Sequence, residues 1–390
     1  MIRIRESIDN LIVGGGPAGS MLAMRLADAG LQVTLLEKEA MAHHKVCGEF
    51  LSHEAVEYLQ QAGLDPGELG AAPIRAIRLS AGSRAAYGKL PFRAFSLSRY
   101  VLDTVMLERA EERGCDVKRG ICVEKIEPRG EAWRVQFRDG RTIRAQNVFL
   151  ANGKHDLHGW KRSEGKQCDL VGFKMHWQLN PVQTKAMRGL IELFLFPGGY
   201  GGLSLIETET ANLCLVVQRS QLQRIGSWGE LLAAILSENP HLLQRMQGAD
   251  ALWEKPLAVS SIPYGYLVNQ PCGIWCLGDQ AAVVPSFTGD GLAIALHSGA
   301  LASEMFLAGT NADEYHQKLV SQLGRGISFA TRISHAMVTP VGRRIAPFGL
   351  RLFPHAVNWI ANSTRIPADS ILCARLTPHV EPSHHKSHIA

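Results

Sequence analysis

Hydrophobic and polar positions along this chain follow two rhythms. Solid apolar runs occur at Leu11–Val13, Val33–Leu36, Val148–Leu150 and Ile274–Leu277, the pattern of strands buried on both faces in a parallel sheet. Elsewhere apolar and polar residues alternate. This holds through 122–147, where Asp139-Gly140 predicts a hairpin turn, and through most of 170–220, so these segments predict antiparallel strands with one covered face. Helical spacing takes over in three kinds of place. Met21, Leu22, Met24, Leu26 and Ala27 lead to Gly30, and Leu102, Met106 and Ala110 lead to Gly114. Segments 53–63 and 228–249 and the apolar stretch after Gly291 repeat the period. The sum is an α/β chain, with a parallel, helix-covered domain interrupted by an antiparallel sheet and followed by helices.

The junction between the first strand and the first helix carries chemistry. Gly14, Gly16 and Gly19 stand at G-x-G-x-x-G spacing, with Pro17 and Ala18 between them. Glu37, followed by Lys38, closes the second strand 18 residues after Gly19. Gly14 allows the tight turn, Gly16 lets the backbone approach a pyrophosphate, and Gly19 lets the helix lie close to the sheet. The free N–H groups of the helix start face the phosphates, and an acid at this distance accepts from ribose hydroxyls.

A second block decides which dinucleotide. The run 273–300 ends a strand at Gly278-Asp279, passes through Pro285 and Gly289-Asp290-Gly291, and opens into an apolar helix. NAD needs no such block, whereas FAD carries a ribityl chain and a flavin ring that need a second platform. Asp279 at a strand end suits ribityl hydroxyls. The helix starting at Gly291 suits the flavin edge where negative charge develops on reduction. The expected fold is therefore a Rossmann-type FAD-binding domain (1–73, 96–168 and 265–320) with an inserted antiparallel β-sheet substrate domain (74–95 and 169–264). A C-terminal helical cap (321–380) and a disordered tail (381–390) complete it.

With both blocks in place, the chain resembles the FAD-dependent oxidoreductases of the para-hydroxybenzoate hydroxylase fold, a group that includes aromatic hydroxylases and geranylgeranyl reductases. The resemblance implies that Arg99 and Asp103, matching R-x-x-x-D, lie near the cofactor; an i,i+4 surface salt bridge is the alternative. It also draws attention to Cys47-Gly48-Glu49, where the reductases have a cysteine followed by two glycines and Glu49 replaces the second. Cys47 is the candidate proton donor to a substrate carbon, Glu49 the alternative acid, and a packed small residue the bland reading. Asn152-Gly153 replaces the Asp-Gly pair of many hydroxylases. Phe194, Phe196 and Tyr200 loosely match a reductase strand pair, which would line the substrate cavity with them. The Trp-x-Trp-x-Ile-Pro motif of flavin halogenases is absent.

Composition adds boundaries. With 46% hydrophobic and 20% charged residues the chain is ordinary globular material, and no apolar stretch has membrane-spanning length. Eight cysteines without a secretory signal fit a cytoplasmic protein with reduced thiols. Cys272 and Cys276 have no second pair to complete a metal set, so no metal is expected. The net charge of +5 is concentrated late: Arg325, Arg332, Arg343, Arg344 and Arg351 alternate with apolar residues. A solvated helical subdomain explains them, as does contact with a membrane surface or an acyl-carrier partner. Nucleic-acid binding has no motif behind it. The expected activity is oxidoreduction of a lipophilic aromatic, polyketide-like or isoprenoid small molecule, with NAD(P)H as transient reductant. Hydroxylation is preferred, double-bond reduction is the close alternative, and an electron-transfer module a weaker one.

Overall fold

The computed structural model describes residues 4–269, 273–352 and 356–372. Cys272 and the tail 381–390 lie outside them, as does the side chain of Arg351. Two sheets organise the rest. In the first, the strands run Asp116–Arg119, Val33–Glu37, Ser7–Val13, Thr142–Leu150, Ala132–Phe137 and Val123–Arg129. Ser7–Val13 is parallel to both neighbours, with Leu11 opposite Thr34 and Val148. The short strand Trp275–Cys276 joins the far side of Thr142–Leu150 in parallel. Central strands are covered on both faces, which explains their unbroken apolar runs.

The helix Pro17–Asp28 lies on this sheet and meets the helix Gly291–Leu307 at small residues. A Cβ at Gly299 would collide with the Ala18 carbonyl, and one at Gly19 with the Gly14 carbonyl. Gly19 thus seats the first helix on its sheet, and Gly299 lets the two fingerprint segments, far apart in sequence, come together.

The second sheet runs from Asp250–Ala251 through Leu170–Gln178, Ala211–Gln218, Gly199–Leu205, Gly189–Phe196 and Ala72–Ala81 to Arg84–Ser96. Its pairings are antiparallel except that Gly189–Phe196 runs parallel to Ala72–Ala81. This departs from the purely antiparallel sheet expected. Its long hairpin pairs Ala72–Ala81 with Arg84–Ser96.

Strand parity sorts the residues of this sheet. One face packs against the helices Pro181–Met187, Trp228–Glu238 and Pro240–Met246, around a core holding Phe173, Phe194, Phe196, Leu213 and Leu231. The other face, with Leu79, Leu195, Tyr200 and Val216, turns towards the FAD-type domain and the long helix Ala312–Met337. Phe194 and Phe196 are therefore corrected from cavity residues to far-face core. Phe194 covers Gly201 and Phe196 covers Gly199 across the strand pair. Truncating Phe194→Ala is expected to cost about 3–5 kcal/mol in denaturant unfolding while flavin content and substrate KM stay near the parent's.

Candidate functional site

Between the two sheets lies a cavity of about 170 Å³, lined by Gly16, Pro17, Ala18, Arg99, Gly278, Asp279, Gly289 and Gly291 among others. Two helix starts converge on it. Among the described residues no side chain caps Pro17–Asp28 or Gly291–Leu307, so their first N–H groups are left for a ligand. Gly14 has φ +112°, which side-chain-bearing residues rarely adopt, and its Cβ would collide with Ala151. Glu37 is buried. Its Oε2 accepts from the Gly15 N–H at 2.9 Å and its Oε1 from the Glu39 N–H at 3.0 Å. Each oxygen keeps a lone pair for a ribose hydroxyl.

Arg99 combines both readings of its motif. Its guanidinium binds Asp103 through Nε at 2.7 Å and Nη2 at 2.8 Å, and Nη2 lies 3.4 Å from where a Cβ on Gly16 would stand. The ion pair thus holds a cation against the phosphate loop. Burial pushes the Asp103 carboxyl up, but Arg99 and Lys45 more than offset it and keep it below the usual range. Asp279 is held through its backbone carbonyl, which accepts from Arg162 at 2.9 Å, and its carboxylate has no hydrogen bond among the described residues. Gly278 has φ +56° and donates to Ser298 Oγ at 2.8 Å. Pro285 opens the turn before Gly289, where a Cβ would press 2.5 Å from the Phe50 ring. Lys38 stands apart, exposed and paired with Glu39 at 3.7 Å.

These features fit FAD. Uncapped helix starts, glycines with no room for a Cβ, a buried acid at one end and a free carboxylate at the other match a dinucleotide's phosphates, ribose and ribityl chain. Residues 7–185 match the family described as the FAD binding domain. The flavin-dependent halogenase armH3 of Armillaria mellea is 32% identical over 77% of this chain and 68% of that protein. The chain belongs to the FAD-dependent oxidoreductases of the para-hydroxybenzoate hydroxylase fold. Digeranylgeranylglycerophospholipid reductase 2 of Methanopyrus kandleri is 26% identical over 84% of this flavoprotein and 85% of its own length. The myxobacterial chondrochloren halogenase superposes with a TM-score of 0.74 at 20% identity, covering 92% of this chain and 91% of that one, and shows the shared fold.

The Cys47 loop of this flavoprotein closes the flavin cavity and is tied down from several sides. Cys47 Sγ accepts from the Glu49 N–H at 3.3 Å. Asn212 Nδ2 donates to the carbonyls of Cys47 at 3.2 Å and Gly48 at 3.1 Å. Glu49 itself is fully buried at φ +59°. Its Oε1 accepts from the Arg99 N–H at 2.8 Å and from Lys174 Nζ, and its Oε2 lies 3.2 Å from His176 Nε2. Burial raises the carboxyl pKa, yet the His176 hydrogen bond and the Lys174 charge outweigh it and leave it lowered. Glu49 is thereby a fixed carboxylate at neutral pH, with no proton to give. His44, Glu49 and His176 hold potential metal-ligand atoms within 4.8 Å of one another. Lys174 already places a cation on that carboxylate, so the cluster is an ion pair with aromatic neighbours.

Next to the flavin cavity lies an apolar one of about 350 Å³. Leu79, Phe92, Ile191, Leu193 and Ile360 contribute to its wall, and Gly48, Phe50, Cys214, Ser286 and Gly289 border both cavities. Tyr200 lines it, with its hydroxyl 3.3 Å from Ser334 Oγ and 3.5 Å from Ser286 Oγ. Cys214, Lys174 and His176 carried no sequence signal, because cross-strand register alone sets Cys214 beside Lys174 and Asn212 beside His176.

The C-terminal segment completes the cavity. Thr364 Oγ1 reaches Asp290 Oδ2 at 3.3 Å, and Arg365 Nη1 binds both oxygens of Glu54 at 3.1 Å while its guanidinium stacks over Phe92. Asp290 is buried, and its Oδ1 has no hydrogen-bond partner among the described residues. Burial lifts its carboxyl from 3.8 to about 7; Arg365 pulls it down and Glu54 pushes it up.

Two predictions follow from these partners. Glu49→Gln leaves Lys174 buried without its counter-charge and is expected to lower unfolding free energy by about 3–5 kcal/mol, read by denaturant titration. The raised Asp290 pKa means that its contribution to stability is full below the unfolded carboxyl range and lost as pH rises through about 7. Asp290→Asn should therefore flatten the decline in stability expected between about pH 4 and about pH 7. An unchanged pH slope in that variant would contradict the assignment.

Proposed function

We propose that this flavoprotein reduces a carbon–carbon double bond in an uncharged lipophilic substrate of isoprenoid type. The carrying observation is the apolar cavity that adjoins the flavin cavity and has a thiol in the shared wall. Bound FAD supplies hydride transfer, with NAD(P)H as the proposed reductant. Gly14, Gly16, Gly19, Glu37, Arg99, Asp279 and the Gly291 helix start would hold it.

The chain's own residues do the rest. Aliphatic and aromatic side chains exclude water and orient an apolar chain. Burial pushes the Cys214 thiol up to about 12, so it remains protonated where the two cavities meet. Cys47 borders the flavin side. A thiol in either place can give a proton to the carbon next to the one that accepts hydride. Tyr200 is no base: burial raises its pKa and keeps it a neutral phenol. Among the described residues lining the apolar cavity, none is a base for a phenolic ring and the one cation, Arg365, is already bound to Glu54, which weighs against the aromatic hydroxylation preferred from the sequence. The relative from Methanopyrus kandleri, a reductase by name over most of both chains, agrees with the reductive reading.

Monooxygenation keeps one observation in its favour: the C-terminal segment walls part of the cavity beside the flavin site, and oxygen chemistry also needs such cover. Anaerobic turnover separates them. With a polyprenyl or polyene substrate and NAD(P)H, full turnover under argon is expected, the product gaining one hydride and one proton. Oxygen label in a product formed only in air would overturn the reductase. Cys47→Ser and Cys214→Ser should show which thiol serves, the donor variant losing about 100-fold in substrate reduction while flavin reduction stays normal. If neither slows the reaction, no thiol is the acid.

A further inference from the structure

The mouth of the apolar cavity lies in the C-terminal helices, and its outer surface is unusual. Val341 and Ile345 on the helix Pro340–Leu352 are 65% and 58% exposed, and Trp359 on Ala356–Thr364 is 62% exposed. Ile345 also lines the cavity, together with Ala346, Ile360 and Ala361. An apolar surface is thus continuous from solvent to the chamber.

Cations frame it. Val341, Arg344 and Ile345 share one helical face by their spacing. Trp359 packs edge-on against Phe329 of the helix Ala312–Met337, and Arg325 and Arg332 stand four residues before and three after Phe329, on that same face. Arg325, Arg332 and Arg344 are exposed and have no ion-pair partner among the described residues, whereas Arg343 reaches Glu238 at 3.6 Å. Between 321 and 372 the sequence holds one acidic residue, Asp369.

We propose that this face docks on an anionic lipid bilayer and that lipophilic substrate passes from the bilayer through the mouth into the cavity. Three features select a bilayer over a soluble acidic partner: apolar side chains at the centre, arginines at the rim, and a tryptophan between apolar and wet surroundings. No helix among the described residues is long and apolar enough to cross a membrane, so the contact would be peripheral. The passage of substrate rests on the proposed function; the docking does not.

The test is sedimentation of the FAD-loaded protein with vesicles of phosphatidylcholine alone or mixed with phosphatidylglycerol, in low and high salt. Binding is expected with anionic vesicles and should fall as salt rises. The triple variant Arg325→Gln, Arg332→Gln, Arg344→Gln should lose on the order of 100-fold in partitioning. A separate double variant, Val341→Ser with Trp359→Ser, should weaken binding at both salt concentrations. Flavin content and far-ultraviolet circular dichroism confirm that each variant is folded. The proposal is overturned if the parent binds neither vesicle, binds both equally, or binds an acidic acyl-carrier protein but no vesicle. It is equally overturned if the arginine variant partitions as the parent does. Turnover of detergent-dispersed substrate, measured without vesicles, reports on the reductase reading independently.

Discussion

The buried carboxylate of Glu49 is the joint on which the site depends. Its main chain accepts from Leu97 N–H and Ser96 Oγ, each at 3.0 Å, while its side chain accepts from the Arg99 N–H and binds Lys174 and His176 of the second sheet. One residue thus ties the flavin-side helix, the Cys47 loop and the substrate sheet together. A charge in so dry a place is tolerated only because its partners are complete. Losing one costs more than the pair contributes, since the survivor stays buried and unpaired. The strained backbone at Glu49 fits this description: left-handed geometry in a residue with a side chain persists where the surroundings over-determine it.

The same constraint separates two kinds of polarity on one sheet face. On that face Lys174 and His176 serve the ion pair and Asn212 holds the Cys47 loop, while Cys214, Tyr200 and Leu193 serve the apolar cavity. The polar end fixes the loop and the apolar end receives the substrate, so the Glu49 anchor sits beside a largely apolar chamber whose charged lining residue, among those described, is Arg365, bound to Glu54.

Much of the fold was legible in the chain because local physics dictates it. Glycines that admit no Cβ, solid apolar runs and the acid closing the second strand are requirements of a strand–turn–helix unit, and they read the same in sequence and structure. Arg99 and Asp103, one helical turn apart, were legible as a pair. Parity was harder. Phe194, Phe196 and Tyr200 lie close in sequence, yet only Tyr200 faces the cavity, because register sends the two phenylalanines to the opposite face. Lys174, His176 and Cys214 were invisible for a related reason. They meet Glu49 and the cavities only through pairings between strands distant in sequence.

The cavity's outer wall has a consequence for the order in which this molecule matures. Every segment proposed to touch FAD precedes residue 300, whereas Ile345, Ile360 and Thr364 close the chamber from later in the chain. During synthesis, an emerging chain can assemble its cofactor cradle first and acquire its substrate room afterwards. Reactive chemistry at the flavin is then uncovered for the interval between the two, and the length of that interval is set by how fast the last helices are made and docked.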